Sequence, residues 1–313
     1  MKYVIKKLAA LIITLFIVSL LAFLAFSVIP GDPAANRLGT EATEEAINAL
    51  REEMGLNRPL IERYISWVTG IFCGDFGTSY TYSMPVSKLL ADKLPVTALL
   101  TLMSFIITII AAIPLGILAG SIRSKTVDST LVAVNQVVMS IPAFFLGMLI
   151  CWLCGLVLKL FTPGGFVAWS KDPELCLRYM IFPALAVAVP RIAMTVKMLR
   201  SSIISESAKD YARTAKSRGN GRSSILWRHV LRNAMLPVIT FLATSLAEIM
   251  TGTIIIEQVF TLPGIGRLLM SSISNRDYPV VQAIIIIMAA WIVLVNFIAD
   301  ILNQTIDPRM RLK

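Results

Sequence analysis

Few side chains in this sequence are of a kind that does covalent chemistry. His229 is the single histidine, which excludes the H-E-x-x-H zinc pattern, since that needs two histidines one helical turn apart. No nucleophile and general base can be paired elsewhere along the chain. The nearest approach to a phosphate-binding loop is AGSIRSKT at 119–126, which has Lys125 and Thr126 but Ala119 and Ser124 where both glycines belong. Without those glycines the backbone lacks the freedom to wrap a phosphate. The expectation is no catalytic residue, no metal site and no cofactor in this chain.

Two carboxylates and one cationic stretch stand out instead. Glu248 interrupts an apolar run near its middle, and Asp300 lies near the end of another. An ionised carboxylate is costly in hydrocarbon, so Glu248 marks either a path, where it meets an amine or a cation, or a hydrogen bond to a neighbouring helix. Asp300 reads as interfacial. The stretch 210–237, DYARTAKSRGNGRSSILWRHVLRNAMLP, carries six Lys or Arg against one acid, Asp210. In helical projection Ile204, Ala208, Tyr211, Ala212 and Ala215 share one face, while Lys209, Arg213 and Lys216 form another, with Thr214 in the same turns. Gly219, Asn220 and Gly221 break this helix, and a second helix over 222–235 is expected to lead to Pro237 in the first turn of the next apolar run. One account is a solvated basic loop. The other is a docking helix, whose small face allows close approach and whose charged flank fixes orientation.

These residues must be held by a membrane scaffold. The chain is 56% hydrophobic and only 15% charged, outside the range of soluble domains. Apolar runs at 8–29, 96–120, 131–158, 180–199, 238–256 and 280–301 match the roughly 20 helical residues that cross a hydrocarbon core. The fourth contains Pro183, Pro190, Arg191 and Lys197, which is tolerated where neighbouring helices satisfy the freed backbone groups. Continuous runs, without ten-residue alternation, exclude a barrel, so the expected fold is an all-α polytopic membrane protein of about six spans. The first run lacks a small-x-small cleavage site and reads as a retained span, not a signal peptide. The domains expected are 1–30, the N-terminal segment and first span; 31–95, an outer insertion; 96–303, a transmembrane domain that includes the inner basic region 201–237; and 304–313, a tail.

With both termini inside, the inner segments hold 18 of the 29 Lys and Arg, the bias that orients membrane proteins. The basic residues flank apolar runs and lack interleaved aromatics for base stacking, which argues against a nucleic-acid partner. Within the insertion, Thr43 before Glu44 and Glu45 reads as a helix start with Gly55 as its end, and Tyr64 and Trp67 lie on a second short helix suited to a membrane interface. Pro142 in the third run, and Pro263, Gly264 and Gly266 in TLPGIG at 261–266, read as a bend and an outer gate or as packing features. Cys151 and Cys154 stand on one face of the third run as packing residues, whereas Cys73 and Cys176 both fall in outer loops, either paired or free.

The segment 211–237, with Ala212, Ala215, Gly219 and LRNAMLP, resembles the cytoplasmic Glu-Ala-Ala-type motif of ABC importer permease subunits. Over almost its whole length the chain is similar to the B-type permease of the dipeptide, oligopeptide and nickel family. The motifs are GDP at 31–33, GDFGTSY at 74–80, PLG at 114–116, SIPAFFLG at 140–147, EQVFTLPGIGRL at 257–268, NRDYPVVQ at 275–282 and DPR at 307–309. Tyr211 stands where the motif's name would put Glu, and Asn220 with Gly221 replaces an expected Leu and polar residue, departures that bear on docking strength and partner choice. The resemblance implies a non-catalytic half of a heterodimer in a bacterial or archaeal plasma membrane, paired with a second homologous permease. Two cytosolic ATP-binding subunits would supply ATP and Mg, and an extracytoplasmic solute-binding protein would deliver cargo. The helix 204–217 would sit in a groove of one ATPase. Peptides are the cargo the family implies first, nickel or another metal chelate the alternative. From the residues alone, a stand-alone channel, a secondary transporter or an anchoring subunit remain competing classes.

Overall fold

The computed structural model describes residues 2–28, 33–38, 43–122 and 124–306. Gly31 and Asp32 of the GDP motif, Arg123, and the DPR motif with the tail beyond 306 lie outside the described residues. The helices are α1 (Lys2–Val28), α2 (Pro33–Leu38), α3 (Glu44–Glu53), α4 (Leu60–Phe72), α5 (Val86–Ser121), α6 (Lys125–Ser140), α7 (Ala143–Ile150), α8 (Pro173–Ser207), α9 (Asp210–Ser217), α10 (Arg222–Ile225), α11 (Leu231–Val259), α12 (Ile265–Ser274) and α13 (Tyr278–Ile306). Wider π-type turns extend α7 through Cys151–Val157 and join α10 to α11 through Leu226–Val230. Five helices are long and apolar enough to cross a membrane. The pair 126–140 and 143–157, bent by 91° at Ile141 and Pro142, brings the number to six if it is counted as one broken span and not as a re-entrant loop. Pro142 therefore makes the bend, because a residue before proline is pushed out of helical conformation and Ile141 takes ψ of 120°.

Several boundaries differ from the sequence expectation. Helix α5 begins at Val86, ten residues before 96; Lys88, Asp92, Lys93 and Pro95 mask its first turns in hydropathy. Helix α8 runs on to Ser207 despite Pro183 and Pro190. No separate helix ends at 235, since 222–259 is one span. Pro237 lies inside α11, not in a first turn, as proline can where packed neighbours compensate the lost hydrogen bond.

The chain forms two units, Met1–Thr97 with Pro263–Leu294, and Ala98–Leu262 with Val295–Lys313. In the first, α1 packs on α4 through Phe23, whose ring centroid is 5.4 Å from Tyr64 and 5.8 Å from Trp67. Thr43 caps α3 by accepting from the Ala46 N–H, and Gly55 takes a positive φ beyond its end, as expected of a glycine stop. The buried carboxylate of Asp277 fastens the GTSY loop. It accepts from Ser79 Oγ at 2.5 Å, Tyr80 N at 3.0 Å and Thr81 N at 3.1 Å.

The second unit is built around α8 and α11. Gly116 and Gly120 let α5 lie against α8: a Cβ on Gly116 would come 2.9 Å from Leu199 Cβ, and one on Gly120 would come 2.9 Å from Ile203 Cβ. This is the small-xxx-small contact of membrane helices, where dispersion at close range replaces the hydrophobic effect. At the other end of α8, Tyr179 donates to the Phe260 carbonyl at 2.8 Å and accepts from Gly164 N at 3.1 Å. Cys73 is exposed and Cys176 buried, and neither forms a disulfide.

Candidate coupling helix and intramembrane ion pair

The basic segment folds as an eight-residue helix, not as one rod over 204–217. Lys209 has an extended backbone, φ −72° and ψ 157°, so the helical register is lost between Ser207 and Asp210. Ile204 and Ala208 are consequently exposed, and the face they were expected to share with Ala212 and Ala215 does not exist. Glu206 bridges the break, accepting from Lys209 Nζ at 2.5 Å and from the Tyr211 hydroxyl at 2.7 Å. Burial raises the pKa of the Tyr211 phenol; a contact with Asn233 lowers it, and the bond to Glu206 raises it further. Tyr211 is thus a neutral donor where the motif's name would put a carboxylate.

The end of α9 is fixed by glycine. Gly219 N bonds the Lys216 carbonyl at 3.0 Å and Asn220 N bonds the Ala215 carbonyl at 3.3 Å, with Gly219 at φ 81°. That is the paired 6→1 and 5→2 closure of a Schellman motif. Asn220 adds a side-chain bond to the Ala215 carbonyl at 3.1 Å. Asp210 in the first turn and Lys216 in the last suit the helix dipole.

Ala212 and Ala215 are 5% and 7% exposed. Ala212 joins a buried cluster with Leu199, Ile203, Val230 and Ala234. The small face is therefore spent inward, on the chain's own helices, contrary to the expectation that it meets a partner. What α9 leaves exposed is polar: Asp210, Arg213, Thr214, Lys216 and Ser217, with Gly219 exposed just beyond its end. Arg213 is 74% exposed, with only a 3.5 Å contact to Asp210.

Glu248 meets a partner from the fourth apolar run. Arg191 Nη1 lies 2.5 Å from Glu248 Oε2, with side chains 23% and 59% exposed. Arg191 is eighteen residues from the start of α8 and Glu248 eleven from the end of α11, about 27 Å and 17 Å along the helices at 1.5 Å per residue. Both line a cavity of about 300 Å³ with Val187, Pro190, Met194, Ile249, Gly252 and Ala143, the last just after the Pro142 bend. Pro142 and Glu248 thus belong to one region of the second unit. Pro263, Gly264 and Gly266 belong to the first unit, where Gly264 and Gly266 are buried at the start of α12. Ile265 N there bonds Thr97 Oγ1 at 2.9 Å. Nearer the end of α8, Arg200 binds Asp128 through Nε at 3.0 Å and Nη2 at 2.5 Å. Sequence reasoning missed the Arg200 and Arg191 pairs and Glu206, since none of their partners lies in the same run of sequence except Lys209 and Tyr211.

Comparison with known proteins agrees with this architecture. The model for the "Binding-protein-dependent transport system inner membrane component" matches residues 112–312, and the one for its N-terminal region matches 1–101. The chain belongs to this family. It is the permease subunit of an ABC importer, a multi-pass inner-membrane protein that works in a complex with other subunits; members of this family are normally non-catalytic. A protein of Brucella abortus named as a peptide transport system permease is 36% identical over 308 residues, 98% of each chain. The glutathione transport system permease GsiC of Escherichia coli K12 is 34% identical over 313 residues, 100% of each. A peptide ABC transporter permease of Sinorhizobium fredii is 31% identical over 309 residues, 99% of each.

Proposed function

We propose that this permease forms half of the translocation pathway of a peptide importer, with α9 as the element gripped by a cytosolic ATP-binding subunit. The observation that carries the reading is the geometry of α9. Its alanines are packed into its own permease and its far end is closed by Gly219, so a load on the exposed Arg213 face is passed to α8 and α11. A solvated loop needs no such anchoring. The second permease, the two ATPases that bind ATP and Mg, and the solute-binding protein complete the machine, with both termini on the cytoplasmic side as the cation bias favours. Closure of the ATPases would move α9 and rock the spans attached to it, giving alternating access provided that nucleotide and cargo favour different states. Peptide as cargo is supported by the relatives, named for peptide or glutathione transport.

The test is uptake of a radiolabelled peptide into proteoliposomes with and without the ATPase subunits. Uptake should require them and ATP. Arg213→Glu should abolish uptake and release the ATPase on purification, whereas Arg213→Cys should cross-link to it. Uptake by the permease alone, indifferent to ATP, would return the molecule to the class of channels or secondary transporters.

A further inference from the structure

Resting on the peptide reading, we infer that Arg191 and Glu248 form a binding site for the two charged termini of a zwitterionic peptide in transit. The pair sits deep within two spans, yet Glu248 is 59% exposed. A carboxylate so placed cannot face lipid at tolerable cost, so its open side faces water or another polar surface. The contact between them is monodentate. Arg191 uses Nη1 and Glu248 uses Oε2, and neither Arg191 Nη2 nor Glu248 Oε1 has a partner among the described residues. One guanidinium edge and one carboxylate oxygen are therefore left to bind something else.

The surroundings leave room for it. A Cβ on Gly252 would meet nothing within 4 Å, and the 300 Å³ cavity is otherwise walled by Val187, Met194 and Ile249. Apolar walls with a few convergent polar groups are the ordinary make-up of a ligand site. A guanidinium fork matches a carboxylate, and the freed glutamate matches an ammonium. A zwitterion can thus replace the protein's own ion pair by exchange of partners: the peptide carboxylate goes to Arg191 and its amine to Glu248. Neither protein charge is unpaired in the loaded or the empty state, so a doubly charged cargo passes without an unpaired charge in the membrane.

The experiment uses the full assembly with its binding protein in proteoliposomes, and trialanine, N-acetyl-trialanine and trialanine amide as probes. Each is supplied at a concentration that saturates the binding protein, so that its selectivity cancels. The wild type should import trialanine about tenfold faster than either blocked form, the worth of one charge-assisted hydrogen bond. Arg191→Gln should lose discrimination against the amide and keep that against the acetyl form; Glu248→Gln should do the reverse. Arg191→Lys and Glu248→Asp, which keep the charges, should retain the ranking. Equal import of all three peptides by the wild type overturns the inference alone, as does a uniform loss for all three in both Gln variants. No import of any peptide overturns the peptide reading and this site together. The wild-type comparison stands even where a variant fails to assemble.

Discussion

Gly116 gives the most direct test of how α9 is held. A methyl group there would lie 2.8 Å from Leu199 Cδ2, 2.9 Å from Cβ and 3.0 Å from Cγ. The Cδ2 end can rotate away, but Leu199 Cβ is fixed to the α8 backbone, so α5 and α8 must separate by several tenths of an ångström. Overpacking of this kind costs about 1–3 kcal/mol, against a gain of about 1 kcal/mol when alanine replaces glycine in a helix. Gly252 is an internal control: it also lies within a long helix, and its added Cβ meets nothing within 4 Å. The propensity gain cancels in the comparison, leaving Gly116→Ala less stable than Gly252→Ala by about 1–3 kcal/mol. SDS titration of the refolded permease in mixed micelles reads this difference. Leu199→Ala in the Gly116→Ala background should not restore stability, since the Cβ clash remains and loss of the buried leucine leaves a cavity. Equal stability of the two alanine variants would refute the close approach of α5 to α8, and with it the route by which Leu199 and Ile203 support α9.

Three further outcomes are expected. Gly219→Ala meets no steric neighbour but must hold φ near 81°, so it should cost about 1–2 kcal/mol and appear as faster amide exchange in α9; unchanged protection would count against the Schellman closure. Asp277→Ala leaves the Ser79 hydroxyl proton and two backbone N–H groups without their acceptor, and should destabilise the first unit by about 3 kcal/mol, read as new proteolytic cleavage in the 74–85 loop. Tyr211→Phe removes the bond to Glu206 and should weaken ATP-driven uptake by the same factor from pH ~6 to ~9. Because burial raises the Tyr211 pKa, its neutral donor is fully present below the ordinary tyrosine value of about 10 and is lost only as pH rises through the higher folded value. A pH-dependent gap between wild type and variant in that window would show that another group titrates there.

The amino-acid order determined the class of molecule, most of its spans and the existence of a cationic helix between two of them. These rest on local properties: runs of about twenty apolar residues, acids after Thr43, and glycine where α9 must stop. The 116–120 glycine pair went unread, although small residues four apart can mark a helix contact, and nothing local said that Leu199 and Ile203 lie opposite. Hydropathy misjudged the ends of α5 and α8, because charges and prolines lower the average without ending a helix whose neighbours hold it.

Only the tertiary structure decided which way α9 faces and what Glu248 meets. Helical projection assumes unbroken register, and one extended residue, Lys209, rotates everything after it. So Ala212 and Ala215 turned inward and Arg213 was left outside. Arg191 and Glu248 stand 57 residues apart in sequence, and Asp277 almost 200 from the loop that it fastens. Pairings of this kind are made by packing, which brings helices side by side in an order that no periodicity within a helix can specify.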